Sequence, residues 1–455
     1  MVNIGQVKNW SKLSKNSDNY QLLIYSIIAA LGGLLFGFDT GVISGAIPFI
    51  RTEFELTPYQ EGFAVSNLMI ACTVGALIAG PVADWGGRKK VLILCSLLFL
   101  ISAIFSAFPQ NFTELVIARF IGGLGVGVAS VVSPMYITEI SPASIRGRLV
   151  ALNQLAIVVG ILFSYLSNWV LLDTGINNWR FMLAAESVPS LCFLFGLMLI
   201  PESPRWLMKI GNESGALSIL NIVSGKNNAV KELEEIKKSL LQKKASFKEL
   251  FHPSIRKVLI VGVLFSLFAH LTGIDTIIYY GPIIFLESGF QTNDAFLASV
   301  LIGVTNLVFT IIGMFMVDKF GRRILLLVGM AGMGISMAFV GYCMESSIIS
   351  AKWTLLWIII YIASFAMSIG VVIWVYLSEI YPTKVRGQAL SVATMVLWVG
   401  NVILTQLFPI MMEIFGGQTF YIFSIICLIS FIFFIAMIKE TKGLSLEQIE
   451  KIWIQ

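Results

Sequence analysis

Charge is what this chain most lacks. Only 13% of its 455 residues are Asp, Glu, Lys or Arg, against roughly 25% in a soluble domain. Histidine is rarer still, with two residues in the whole chain. The five cysteines, Cys72, Cys95, Cys192, Cys343 and Cys427, each stand alone in an apolar run. None has metal-ligand spacing, so the expectation is no disulfide, no metal site and no cofactor. No nucleophile is paired with a base, which argues against an enzyme. The segment before Leu22 carries Lys8, Lys12 and Lys15 and lacks a signal-peptide core, so the first apolar run is expected to be retained.

What is abundant is apolar sequence. Hydrophobic residues make up 57% of the chain, and the mean hydropathy is +0.86. A helix needs about 20 apolar residues to cross a bilayer. Runs of that kind fall near 22–43, 62–83, 91–108, 115–138, 149–172, 182–200, 258–280, 295–317, 324–344, 353–378, 388–412 and 418–438. The sequence therefore predicts an all-α membrane protein with twelve transmembrane helices in two pseudo-symmetric six-helix bundles, embedded in a lipid bilayer. Run length and weak alternation argue against a barrel.

The few charges are distributed unevenly. Connections on one side hold Arg88, Lys89, Lys90, Arg146, Arg148, Lys319, Arg322, Arg323, Lys384 and Arg386, and those on the other hold only Arg51, Arg180 and Lys352. By the positive-inside rule the first side is cytoplasmic, which puts both termini there. These basic residues hug membrane edges and form no separate domain, so nucleic acid is not an expected partner. The divisions read as a cytoplasmic segment 1–21, a bundle 22–200, a cytoplasmic linker 201–257, a second bundle 258–438 and a cytoplasmic tail 439–455. In the linker, Val230, Leu233, Ile236 and Leu240 fall at helical spacing.

The two bundles repeat each other. "GPVADWGGRKK" (80–90) is echoed by "GMFMVDKFGRR" (313–323), and "EISPASIRG" (139–147) by "EIYPTKVRG" (379–387). "PESPRWL" (201–207) has its counterpart in "KETKGLSLEQI" (439–449). The offset stays at about 235–240 residues throughout, a tandem arrangement that in transporters puts the substrate between the repeats near the midplane.

With these motifs, and with "RFIGGLGVGVASVVSPMYITEISPASIRG" (119–147), the chain resembles the major facilitator superfamily and, within it, the sugar porter family. The resemblance covers roughly Leu22 to Ile449. It implies two bundles that rock about a central cavity and import a monosaccharide or polyol with a proton, functioning as a monomer in the cell membrane. A passive sugar or polyol facilitator and a transporter-like nutrient sensor are the alternatives.

Charged residues inside membrane helices are functional candidates. Counting from the helix ends puts Asp39, Arg119 and Glu186 at one depth in the first bundle. Burying an acid with a base is the cheapest way to bury either. The resemblance makes this trio the proton-coupling site. It also makes Gln154, Asn306, Trp374, Trp398 and Asn401 substrate-binding candidates, with Phe36 and Tyr279 as apolar gates. Asp84, Arg88, Glu139 and Arg146, with their counterparts Asp318, Arg322, Glu379 and Arg386, are the expected conformational latch on the cytoplasmic side.

The departures from the family are informative. Helix seven reads "AHLTGIDTIIYYGP" (269–282), with Ala269 and His270 in place of two glutamines and Asp275 in place of an asparagine. His270 and Asp275 therefore join the substrate-binding candidates. "GIDT" (273–276) also echoes "GFDT" (37–40), yet Ile359 occupies the position equivalent to Arg119. Asp275 is thus expected to lack a mate and to be either protonated or open to cavity water. Val371 stands where a Gly-Pro break belongs in helix ten, Leu397 where a polar residue often precedes the helix-eleven tryptophan, and Trp85 where a basic residue is usual.

Overall fold

The structure is a computed structural model that describes residues 17–142, 145–240, 247–346, 350–382, 384–444 and 446–454. Most of the predicted N-terminal segment, with Lys8, Lys12 and Lys15, lies outside the described residues. Among those residues every regular element is helical. The helices are α1 (Ser17–Glu53), α2 (Pro58–Gly86), α3 (Arg88–Ala107), α4 (Phe112–Ile140), α5 (Arg146–Leu171), α6 (Asn178–Ala184) and α7 (Ser187–Leu199) in the first half. A connecting set follows: α8 (Pro204–Lys209), α9 (Glu213–Ser224) and α10 (Lys226–Leu240). The second half holds α11 (Pro253–Leu271), α12 (Ile274–Glu287), α13 (Thr292–Phe320), α14 (Arg322–Glu345), α15 (Lys352–Met367), α16 (Ile369–Ile380), α17 (Arg386–Phe415) and α18 (Thr419–Met437), and α19 (Leu446–Ile454) closes the chain.

Eleven helical stretches are long and apolar enough to cross a membrane, and the last of them, Arg386–Met437, runs for 52 residues. A short 3-10 turn at Gly416–Gln418 divides it into α17 and α18, so the described residues make twelve crossings. Three crossings are built from two helices each. The sixth breaks at Ala185–Glu186, the seventh at Thr272–Gly273 and the tenth at Ser368. The break in the tenth does not need the missing Gly-Pro. Ser368 leaves helical geometry with φ −115° and ψ −94°, and it nests against Gly329, where a Cβ would lie 1.9 Å from the Ser368 hydroxyl.

Small residues let the helices approach closely, the usual packing device where lipid removes the hydrophobic drive between helices. In α1, Gly33, Gly37, Gly41 and Gly45 recur every four residues and all face α5. A Cβ on Gly37 would lie 1.9 Å from the Ile157 carbonyl oxygen, and one on Gly160 would lie 2.0 Å from that of Leu34. α1 is longer than predicted and continues to Glu53. Asp39 is therefore deep in the crossing, not near its end.

The halves meet on the face opposite the termini. Tyr165 donates to the Ile278 carbonyl (2.8 Å), the Trp169 indole N–H to Asn293 (3.0 Å), and Ser66 to the Gln406 amide oxygen (2.7 Å). The Gln406 amide nitrogen donates to the Tyr59 carbonyl (2.9 Å). All four contacts belong to the ends of helices remote from the termini, so the seam is closed on that face.

Candidate functional site

At mid-depth α1, α4 and the break between α6 and α7 bring three ionisable side chains together. Asp39, Arg119 and Glu186 are each at most 2% exposed. Arg119 Nη1 donates to Asp39 Oδ1. Glu186 lies within the electrostatic reach of both. Asp39 Oδ2 and Arg119 Nε and Nη2 have no hydrogen-bond partner. One cation and two carboxyl groups leave the buried cluster with one negative charge too many unless a carboxyl holds a proton. Since buried uncompensated charge is strongly disfavoured, the arrangement is suited to binding and releasing a proton.

Next to this cluster the halves touch through aromatic side chains. Phe36 on α1 packs against Trp398 on α17, ring centroids 5.6 Å apart. Tyr279 on α12 is buried and reaches Met69 Sδ on α2 (3.4 Å) and Thr40, the neighbour of Asp39. A contact of the second half thus adjoins the charged cluster of the first.

The amide candidates occupy different settings. Asn306 is buried on α13 and accepts from Thr310 (3.4 Å). Asn401 is buried on α17 and its side-chain oxygen accepts from Thr405 (3.2 Å). Gln154 is half-buried on α5 and Trp374 is exposed on α16.

The seventh crossing corrects one expectation. Asp275 does have a mate: its Oδ2 contacts His270 Nδ1 across the helix break. The reason is local geometry. Gly273 adopts φ +98°, a left-handed turn that glycine enters without penalty, and it swings the last turn of α11 onto the first turn of α12. The partner lies five residues away in sequence and not at the position equivalent to Arg119. His270 packs beside Gly400 on α17, whose Cβ would lie 3.7 Å from its own, which places the pair near Trp398 and Asn401.

On the side that carries the termini, each half builds the same charged knot. Arg88 Nη2 donates to Glu139 (2.8 Å), and Asp84 lies 3.4 Å from Arg88 and 2.9 Å from Lys209 Nζ. The backbone N–H groups of Arg88 and Lys89 donate to Glu202 (2.9 and 3.1 Å). In the second half Arg322 donates to Glu379 (2.9 Å) with Asp318 at 3.6 Å. Glu440 accepts from the N–H groups of Arg322 and Arg323 (both 3.0 Å). Burial alone would raise the Glu440 carboxyl, but the N–H groups of Arg322, Lys442, Arg323 and Thr441 outweigh it and hold the group below the usual glutamate range. Gly87 and Gly321 make this possible: a Cβ there would lie 2.4 and 2.5 Å from the respective glutamate oxygens. Arg146 and Arg386 donate to the Ser141 and Tyr381 carbonyls. The ion pairs of Arg88 and Arg322 thus run within one half, not between halves. Trp85 is exposed and joins neither knot.

Sequence reasoning missed Gln406 and Ser66, which join the halves. An amide inside the apolar run 388–412 was the available signal.

Residues 25–453 match a protein-family model described as "Sugar (and other) transporter". The chain is 41% identical to the arabinose-proton symporter of Bacillus subtilis over 442 residues, 95% of either protein. It is 37% identical to the D-xylose-proton symporter of Escherichia coli K12 over 482 residues, covering 96% of this chain and 97% of the relative. Its fold is similar to the inward open conformation of the xylose transporter XylE from E. coli, with a TM-score of 0.83, 36% identity, and coverage of 94% of this chain and 99% of the other.

Proposed function

The chain belongs to the sugar (and other) transporter family, and on that premise we propose that it imports a monosaccharide or polyol together with a proton by alternating access. Its crossings make it a multi-pass membrane protein. In our reading both termini are cytoplasmic, the protein works as a monomer, and the closed seam on the opposite face makes the present arrangement inward-facing.

The charge count of Asp39, Arg119 and Glu186 carries this reading. In the loaded protein one carboxyl holds the proton, and the cluster is neutral while the halves rock. In the inward-facing protein the cluster, buried in the present arrangement, gives up the proton when it rearranges to meet cavity water, and Arg119 retains an anion partner for the return. Tyr279, in contact with Thr40 beside Asp39, gives the second half a means of sensing that change. Phe36, Gln154, His270, Asp275, Tyr279, Asn306, Trp374, Trp398 and Asn401 supply the sugar with donors, acceptors and flat apolar faces. The knots around Arg88 and Arg322 keep each half rigid. In the outward-facing state their charges, with Arg146 and Arg386, latch one half to the other.

A panel of sugars and polyols tests the proposal. Purified protein in liposomes, given an inward proton gradient, concentrates its substrate, and an ionophore abolishes the concentration. Uptake that only equilibrates, with or without ionophore, would make it a facilitator.

A further inference from the structure

Charge gathers at a second place where the halves meet, on the face opposite the termini. Arg51 in the last turn of α1 and Glu61 in the first turn of α2 come from the first half. Glu287, the last residue of α12, and Glu413, near the end of α17, come from the second. With Phe408 and Met412 they line a cavity of about 110 Å³. Helix ends add to the pattern. The start of α2 is a positive helix end, whereas Glu287 and Glu413 stand at negative ones, where an anion is least favoured.

Glu61 is 4% exposed, and its ion-pair partner Arg51 lies 3.6 Å away. Arg51 also attracts Glu287, while Glu287 and Glu61 repel each other across the seam. One arginine therefore serves two carboxylates from opposite halves. On that face Arg180 is paired with Glu53 (3.6 Å); from the second half the Tyr280 phenol acts on Glu61, and Glu413 adds a third carboxylate to the cavity. The surrounding contact is tight. A Cβ on Gly62 would lie 2.4 Å from the Gln406 carbonyl oxygen, and Gln406 holds Ser66 and the Tyr59 carbonyl. This is the surface that must part for the cavity to open to that face.

We propose that Arg51, Glu61 and Glu287 form a proton-sensitive gate on the face opposite the termini, closed when Glu61 and Glu287 hold one proton between them and loosened when both are ionised. With both ionised, Arg51 faces Glu61, Glu287 and Glu413 around one cavity, so carboxylates of the two halves repel each other across the seam more than the single cation offsets. A proton from the medium on that face reduces this repulsion, and Glu287, exposed at its helix end, gives it a route in. The gate shares no residue with the Asp39 cluster. It lets an acidic exterior close the protein behind its cargo.

Spin labels at Ile176 and Thr292, exposed positions on that face in the two halves, report the opening in lipid nanodiscs. The pH is varied from about 5 to about 9, which brackets perturbed carboxyls. The open population of the otherwise wild-type protein rises several-fold with pH. Glu287→Gln stays closed throughout, and Arg51→Gln is more open than the wild type at neutral and alkaline pH. Asp39→Asn keeps the response, because coupling and gating are separate. A distance distribution that ignores pH overturns the gate. So does a response that Glu287→Gln retains and Asp39→Asn loses.

Discussion

His270 and Asp275 hold each other across the break in the seventh crossing, imidazole Nδ1 against carboxylate Oδ2. A carboxylate only accepts, so Nδ1 carries the hydrogen, and in the neutral imidazole Nε2 is left as an acceptor. In our reading Nε2 meets a substrate hydroxyl, and the pair fixes the angle between α11 and α12. Hydrogen bonds to charged groups contribute about 1.5–3 kcal/mol, so Asp275→Asn or His270→Ala should raise KM by about ten- to a hundredfold. The double variant should be little worse than either single one, since both lose the same contact. Additive losses, measured by transport kinetics in liposomes, would mean that the two residues act separately.

Glu440 caps the start of α14 through backbone N–H groups. Its carboxyl titrates below the ordinary glutamate value, so its contribution to stability is present above that ordinary value and is lost as pH falls through the lowered one. Glu440→Gln should therefore lower the Tm of the detergent-solubilised protein at neutral pH, with a cost of about 1–3 kcal/mol for the lost charged acceptor. The gap to the wild type should shrink as the medium is acidified through the carboxylate range. A gap that stays constant with pH would contradict the assignment.

Gly37 faces the backbone of α5 at a distance that leaves no room for a Cβ. Gly37→Leu should separate α1 from α5, displace Asp39 from Arg119 and abolish both monodisperse folding and transport. Gly147 has open space around its own Cβ position, so Gly147→Ala should behave like the wild type in size-exclusion chromatography. Equal behaviour of the two variants would show that the glycine stripe is not what sets the packing.

The twelve crossings were legible in the sequence because each is a predominantly apolar run of the necessary length, and the repeated motifs placed Asp84, Arg88, Glu139 and their counterparts at corresponding helix ends. The contact of Asp39 with Arg119 was legible too, although the end of α1 was misplaced, because an acid and a base buried in one bundle are the cheapest partners for each other. Partners that depend on a backbone break were not. The mate of Asp275 comes from a left-handed turn at Gly273, and the seam contacts of Gln406 depend on which state the halves adopt. The full length of α1 was not legible either, because the helix continues past the apolar run 22–43, through Pro48, to Glu53.

The central claim is that Asp39 carries the proton that drives uphill transport. Replacing it with asparagine leaves Arg119 and Glu186 as a pair that is neutral without a proton. Asp39→Asn protein in liposomes, loaded with the substrate found by the uptake panel, measures the claim most directly. The account predicts that exchange of labelled for unlabelled substrate continues while accumulation against a gradient under an inward proton gradient falls to the equilibrium level. Undiminished accumulation by this variant would contradict it.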